Sequence, residues 1–204
     1  TSDRVETLYV VQALAEIDEN VDDEEIQRLL THPRFPLRAL SCELVYQHDI
    51  VASVPLLLPL LSDTRPEVVV SALNVLVLMR ENISSKVRFK EQMHHLLAHN
   101  DPAVTITAAW GLALMEDEQG VAILKDILNT ADMQTRRLAA GAVSALGEKG
   151  LSIAVEAQQY ADPYIQATLA WSCLQQREHV QEAAHVLMDF LEQQPANCFW
   201  DESG

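Results

Sequence analysis

Apolar residues recur at three- and four-residue steps through most of the chain, as in Phe89, Met93, Leu96 and Leu97. That step is the period of one face of an α-helix, and it predicts helices rather than strands. The apolar stretches come in pairs. The first members are predicted at Leu37–Gln47, Glu67–Met79, Ala103–Met115, Gln134–Leu146 and Tyr164–Gln175. Polar turns such as Glu116-Asp117-Glu118-Gln119-Gly120 and Gly147-Glu148-Lys149-Gly150 follow them. Second members are predicted at Ile50–Leu61, Lys86–Ala98, Val121–Asn129, Leu151–Tyr160 and Val180–Glu192. Leu8, Val11 and Leu14, followed by Ile26, Leu29 and Leu30, predict a less regular pair at the N-terminus, so the expected total is about six hairpins.

The pairs are copies of one unit. Pro33, Pro66, Pro102, Met133 and Pro163 stand 33, 36, 31 and 30 residues apart. Six and seven positions after each anchor lie Ala39–Leu40, Ala72–Leu73, Ala108–Ala109, Ala139–Ala140 and Leu169–Ala170. Asp101, Asp132 and Asp162 stand just before three of the anchors. An aspartate there can accept the unpaired amide protons of a helix N-terminus, and proline at the first helical position has no proton to lose. A hairpin of two amphipathic helices cannot bury its apolar faces alone, so the copies are expected to stack as an all-α solenoid with a continuous core. Small residues at shared positions (Ala108, Ala109, Gly111; Ala139, Ala140, Gly141, Ala142) would let helices approach closely. An ordinary helical bundle is the alternative architecture.

The segment DPAVTITAAWGLALMEDEQGVAILKDIL (101–128) resembles a HEAT repeat of the short, phycobilisome-lyase-like kind, and DMQTRRLAAGAVSAL and DPYIQATLAWSCL resemble its first helix. The resemblance is clearest over 100–192, weaker over 32–99 and irregular over 1–31. It implies one array over residues 1–192, with first helices outside and second helices lining a concave face. Residues 193–204 would be a cap or a linker. HEAT arrays generally serve as scaffolds or adaptors for other proteins. The resemblance to lyase-like members leaves open an enzyme or subunit that binds a small molecule or chromophore on the concave face.

Composition narrows the chemistry. Against 14 Lys and Arg stand 30 Asp and Glu, a net charge of −16, with 49% hydrophobic and 5% aromatic residues in 204. Neutralising a phosphate backbone needs a basic face, so nucleic acid is not an expected partner. A protein is, and a basic one would be steered in by the acidic field. The longest uncharged apolar stretch, Ile50–Leu61, is too short to span a bilayer and holds two prolines, so no membrane association is expected. Cys42, Cys173 and Cys198 are odd in number and lack CxxC spacing, which fits a reducing, cytoplasmic compartment. Thr1 in place of Met points to a chain that continued upstream.

No catalytic site, metal or cofactor is predicted. The sequence contains no GxSxG, P-loop, GxGxxG or HExxH. Asp18, Asn20 and Asp22 open like an EF-hand loop, but its sixth position is Asp23 and its twelfth is Leu29. Glu91, His95 and His99 share one helical stripe. Glu91 and His99 would lie about 12 Å apart along the axis, too far to share an ion. His95 and His99 are expected to meet the carbonyls at their helix C-terminus. None of the seven histidines precedes a glutamate, which excludes the repeated His-Glu pairs of di-iron HEAT-like hydroxylases. Cys42, Cys173, Trp110 and Trp171 fall at first-helix positions expected to pack inward. The protein-binding candidates are an acidic cluster, Glu16, Asp18, Glu19, Asp22, Asp23, Glu24 and Glu25, and polar second-helix positions off the apolar stripe. Those positions are Lys86, Lys90, Lys125, Asn129, Glu156, Gln159, Gln181, His185 and Asp189.

Overall fold

The computed structural model describes residues 23–157 and 162–193, and within them every regular element is a helix. The α-helices are α1 (Asp23–Leu30), α2 (Phe35–Gln47), α3 (Val54–Leu57), α4 (Pro66–Leu78), α5 (Lys86–Leu96) and α6 (Pro102–Leu114). They continue with α7 (Glu118–Thr130), α8 (Met133–Ala145), α9 (Leu151–Ala157), α10 (Pro163–Gln175) and α11 (Val180–Gln193). Short 3₁₀ turns lie at Val51–Ser53, Leu58–Ser62, Arg80–Asn82 and Gly147–Gly150. The predicted pair before residue 23 lies outside the described residues, apart from α1.

The chain divides into two compact units, 1–111 and 112–204, with the division inside α6. In the first, α2 packs against α1 and α4, and the 51–62 segment lies on α1 and α4. In the second, α8 packs beside α10, α7 and α9 touch one another and α8, and α11 closes on α10. Each unit therefore sets first helices side by side and covers them with second elements.

The five first helices α2, α4, α6, α8 and α10 are each 13 residues long. Their starts follow local chemistry. Asp101 Oδ1 accepts from the Ala103 amide at 2.8 Å, Asp132 from Gln134 and Thr135, and Asp162 from Tyr164 at 2.7 Å. These are the aspartate caps expected from the sequence. Four of the five ends share a device, and only one of the four carries a glycine. Asp49, Glu116 and Arg177 take φ of 49°, 61° and 57°, and Gly147 takes 60°, each fourteen residues after its helix begins. At the three non-glycine sites the next amide, on Ile50, Asp117 or Glu178, donates five residues back to Val45, Leu112 or Cys173. That is the Schellman closure, which satisfies carbonyls that the helix end leaves open.

The core follows the repeat positions. Ala72, Leu73, Ala108, Ala109, Ala139, Ala140, Leu169 and Ala170 are all fully buried. A Cβ on Gly111 would stand 2.6 Å from Val77 Cγ2 and 2.9 Å from Met93 Sδ, so glycine is required for that approach. Gly141 differs from expectation: it is exposed, with nothing within 4 Å of where its Cβ would be, because the inward face of α8 is carried by Ala139, Ala140 and Val143. Ile50–Leu61 also differs, being two 3₁₀ turns around a four-residue helix. Pro55 and Pro59 each remove an amide donor and crowd the preceding turn, so a continuous helix cannot form there.

Candidate functional site

The candidate positions form several small groups. Glu16, Asp18, Glu19, Asp22 and Gln159 lie outside the described residues. Asp23 and Glu25 belong to α1, and Glu24 is exposed, with its carboxylate 3.5 Å from Arg28. In the second unit, Lys125 on α7 donates to Glu156 on α9 at 2.7 Å. Asn129, one turn after Lys125, donates to the Lys125 carbonyl at 3.0 Å. On α11, Gln181 is exposed and His185 Nε2 lies 3.6 Å from Asp189. In the first unit, Lys86 is exposed and bonded to Glu81, and Lys90 is half-buried on the same helix. Most of the second-helix candidates are therefore solvent-facing charges paired locally, and exposed pairs of this kind contribute little to stability.

Between the proline-broken segment and α5 lies a cavity of about 460 Å³. Val54, Pro55, Leu58 and Pro59 form one wall, and Ile83 and Phe89 form the apolar part of the other. Ser62, Asn82, Ser84, Ser85, Arg88 and Gln92 supply its polar rim. The lining contains no carboxylate, histidine, cysteine or lysine, so Arg88 is its one ionisable group. This suits binding, and its serine hydroxyls have no general base among the lining residues. The sequence did hold a signal for the cavity, namely two prolines four residues apart inside an otherwise helical apolar run.

Other predicted residues are placed as follows. Cys42 and Cys173 are fully buried, and burial, with the charge of Glu43, pushes the Cys42 thiol up to about 12. Its thiolate is therefore absent at neutral pH. His99 does not bond helix carbonyls as expected. Its Nδ1 accepts from the Asp101 amide at 2.9 Å, placing it in the turn before α6. His95 is exposed, and no group of three metal-ligating side chains occurs among the described residues. Trp110 is half-buried, but Trp171 was expected to pack inward and is 55% exposed. It sits on the uncovered stripe of α10 with Tyr164, opposite the inward face of Ile165, Leu169, Ala170 and Cys173. Leu138 on neighbouring α8 is 53% exposed, and the Arg137 guanidinium lies 4.8 Å from the Tyr164 ring centre. The second unit thus carries an aromatic outer patch that the repeat register hid.

Two arginine–aspartate pairs, each 25 residues apart in sequence, link successive first helices. Arg38 grips Asp63 with two bonds of 2.7 and 2.9 Å, and its third nitrogen donates to the His32 carbonyl at 2.7 Å. Burial alone would raise the Asp63 carboxyl. The bonds from Arg38 and from the Arg65 amide, with both guanidinium charges, outweigh it and hold the carboxyl below its usual range. Arg137 reaches Asp162, the cap of α10, at 3.3 Å.

No protein-family model and no curated protein matches the sequence. Among solved structures the chain is similar to an engineered protein determined by the Northeast Structural Genomics Consortium. Identity is 18%, the match covers 84% of this chain and 97% of that one, and the TM-score is 0.50. A likeness at that identity speaks to fold alone. Among the described residues no helix is long and apolar enough to cross a membrane.

Proposed function

We propose that this protein is a HEAT-like α-solenoid of stacked helical hairpins that acts as a non-catalytic scaffold for another protein. The observation that carries the reading is the recurrence of one unit. Five first helices have equal length, four of them are closed by a left-handed residue at the same position, and α2 packs beside α4 in one unit as α8 does beside α10 in the other. Stacking of such hairpins presents the second elements as one continuous row, which suits a partner bound along the array. The polar positions on that row are the binding candidates: Lys86, Lys90, Lys125, Asn129, Gln181, His185 and Asp189. The lyase-like alternative would need acid–base groups, and the cavity beside α5 is lined by serines with no carboxylate, histidine, cysteine or lysine beside them.

The test is affinity capture of the partner from the native cell, followed by anisotropy titrations of the captured protein and of duplex DNA at several salt concentrations. A specific protein complex that tolerates about 150 mM salt, with no DNA binding there, is the expected result. Sub-micromolar DNA binding at that salt would overturn it.

A further inference from the structure

The cavity beside α5 combines apolar walls with a single charged residue. Its walls are apolar on both sides, with Ile83 and Phe89 buried against the core and the rings of Pro55 and Pro59 facing them across the gap. At about 460 Å³ it falls within the range of small-ligand sites. Its rim is unlike that of an acidic protein. It holds no carboxylate, its one charged lining residue is Arg88, and the nearest acidic residue in sequence on one side, Glu81, is bonded to Lys86.

Arg88 is exposed and, like Arg136 and Arg177, faces no carboxylate among the described residues, but of these three it alone lines the cavity. Arg28, Arg38, Arg65 and Arg137 each face a carboxylate, and Arg80 donates to the Val77 carbonyl. The Arg88 guanidinium has no hydrogen-bond acceptor among the described residues, although the chain has more than two acidic groups for each basic one. An arginine fork matches a carboxylate with two parallel bonds. Beside it, the Ser84 and Ser85 hydroxyls and the Asn82 and Gln92 amides can donate to the same head group, while the proline and phenylalanine walls take an apolar body. At the rim Arg88 is the one charged lining residue, and the field of distant carboxylates is screened within about 8 Å in physiological salt.

We propose that this cavity binds a carboxylate joined to an apolar group, with Arg88 holding the carboxylate. The source is either the C-terminus of a partner protein ending in an apolar residue, which rests on the scaffold reading, or a free acyl-chain acid, which does not. The experiment is an ¹⁵N–¹H NMR titration of the whole chain with two probes, N-acetyl-Ala-Leu-Leu and octanoate, each run against its uncharged amide. Amide shifts confined to 54–62 and 82–92 are expected for at least one acid. Arg88→Gln should weaken that acid about tenfold or more, as expected for losing a charge-assisted pair. The amides should bind no better than the Arg88→Gln protein binds the acid, and Leu138→Ser, on an exposed site of the other unit, should bind the acid as wild type does. Binding of the peptide acid supports a protein C-terminus as the source, and binding of octanoate alone supports a free acid. Equal binding of acid and amide, unchanged affinity in Arg88→Gln, or no shifts with either acid would overturn the proposal. Failure of both acids would leave the scaffold reading standing, since capture of the partner tests that separately.

Discussion

The second elements of the two units differ, and the differences begin with proline. In the second unit α7 is an uninterrupted helix of 13 residues, capped by Asp117, and its Lys125 reaches Glu156 on the next second helix. In the first unit Pro55 and Pro59 divide the corresponding stretch into three short pieces. The facing helix α5 is left with a cavity in front of it and an arginine without a carboxylate. Regular second helices present side chains in register, where opposite charges neutralise one another. Interrupted ones leave a gap and unmatched charge. The lesson is that a departure from the repeat is a better pointer to a site than the repeat itself.

The first helices differ as well. In the second unit α8 and α10 start on aspartate caps, and in the first unit the residues before α2 and α4, Arg34 and Arg65, make no side-chain cap. The first unit instead has the Arg38–Asp63 pair, with only 14% and 9% of the side chains exposed, whereas Arg137 in the Arg137–Asp162 pair is 47% exposed.

The largest expected effect separates two neighbours on α8. Ala140→Glu would drive a charge into a site of zero exposure and should cost about 3 kcal/mol or more. Gly141→Glu, directed into open space, should change the chemical-denaturation midpoint by much less. Equal midpoints for the two variants would show that the inward face of α8 is misassigned.

A smaller contrast concerns the two ion pairs. Arg38→Gln should cost about 3 kcal/mol by removing both bonds that Arg38 gives the nearly buried Asp63, and Arg137→Gln about 1 kcal/mol, because Arg137 gives Asp162 one 3.3 Å bond and the Tyr164 and Ile165 amides still donate to that carboxylate. The first pair also sets a pH dependence. Because the Asp63 carboxyl is held below its usual value when folded, its contribution is complete above the unfolded value of about 3.9. It is lost as pH falls through the lower, folded value. Stability measured by urea titration should therefore fall less steeply below about pH 4 in Asp63→Asn than in wild type. Parallel curves would remove Asp63 as the cause.

The smallest effects are gains. Glu116→Gly and Arg177→Gly each relieve a side chain held at positive φ, and each should raise stability by about 1 kcal/mol. The same change at Ala145, which has ordinary helical geometry, should lower it.

Much of this was legible in the residues. The aspartate caps announced three helix starts, and the paired small residues marked the buried positions, because both signals are local. The first helices also end within one residue of the predicted positions, but the left-handed closure of those ends was not legible, since Glu116 and Arg177 occupy a conformation that glycine usually signals. The Arg38–Asp63 and Arg137–Asp162 pairs join residues 25 apart, a distance at which no local pattern connects them. Trp171 misled because its register matches Trp110, although α10 leaves that stripe uncovered. At the candidate site, the polar second-helix positions were chosen by their place off the apolar stripe, and Lys86, Lys125, Asn129, Glu156, Gln181, His185 and Asp189 are exposed or locally paired there. Arg88 was not singled out, because its distinction is the cavity it lines, and that cavity is made with the proline-broken segment about thirty residues earlier in the chain.

The central claim, that a protein partner binds along the second elements, is tested most directly by photo-crosslinking in the native cell. A photoreactive residue would be placed in turn at Lys86, Arg88, Asn129 and Gln181 on the second elements, and at Leu138 and Trp171 on the aromatic outer patch. The account predicts adducts with one and the same protein from the first four positions and none from the last two. Adducts from Leu138 and Trp171 alone would contradict it and assign recognition to the outer face of the first helices.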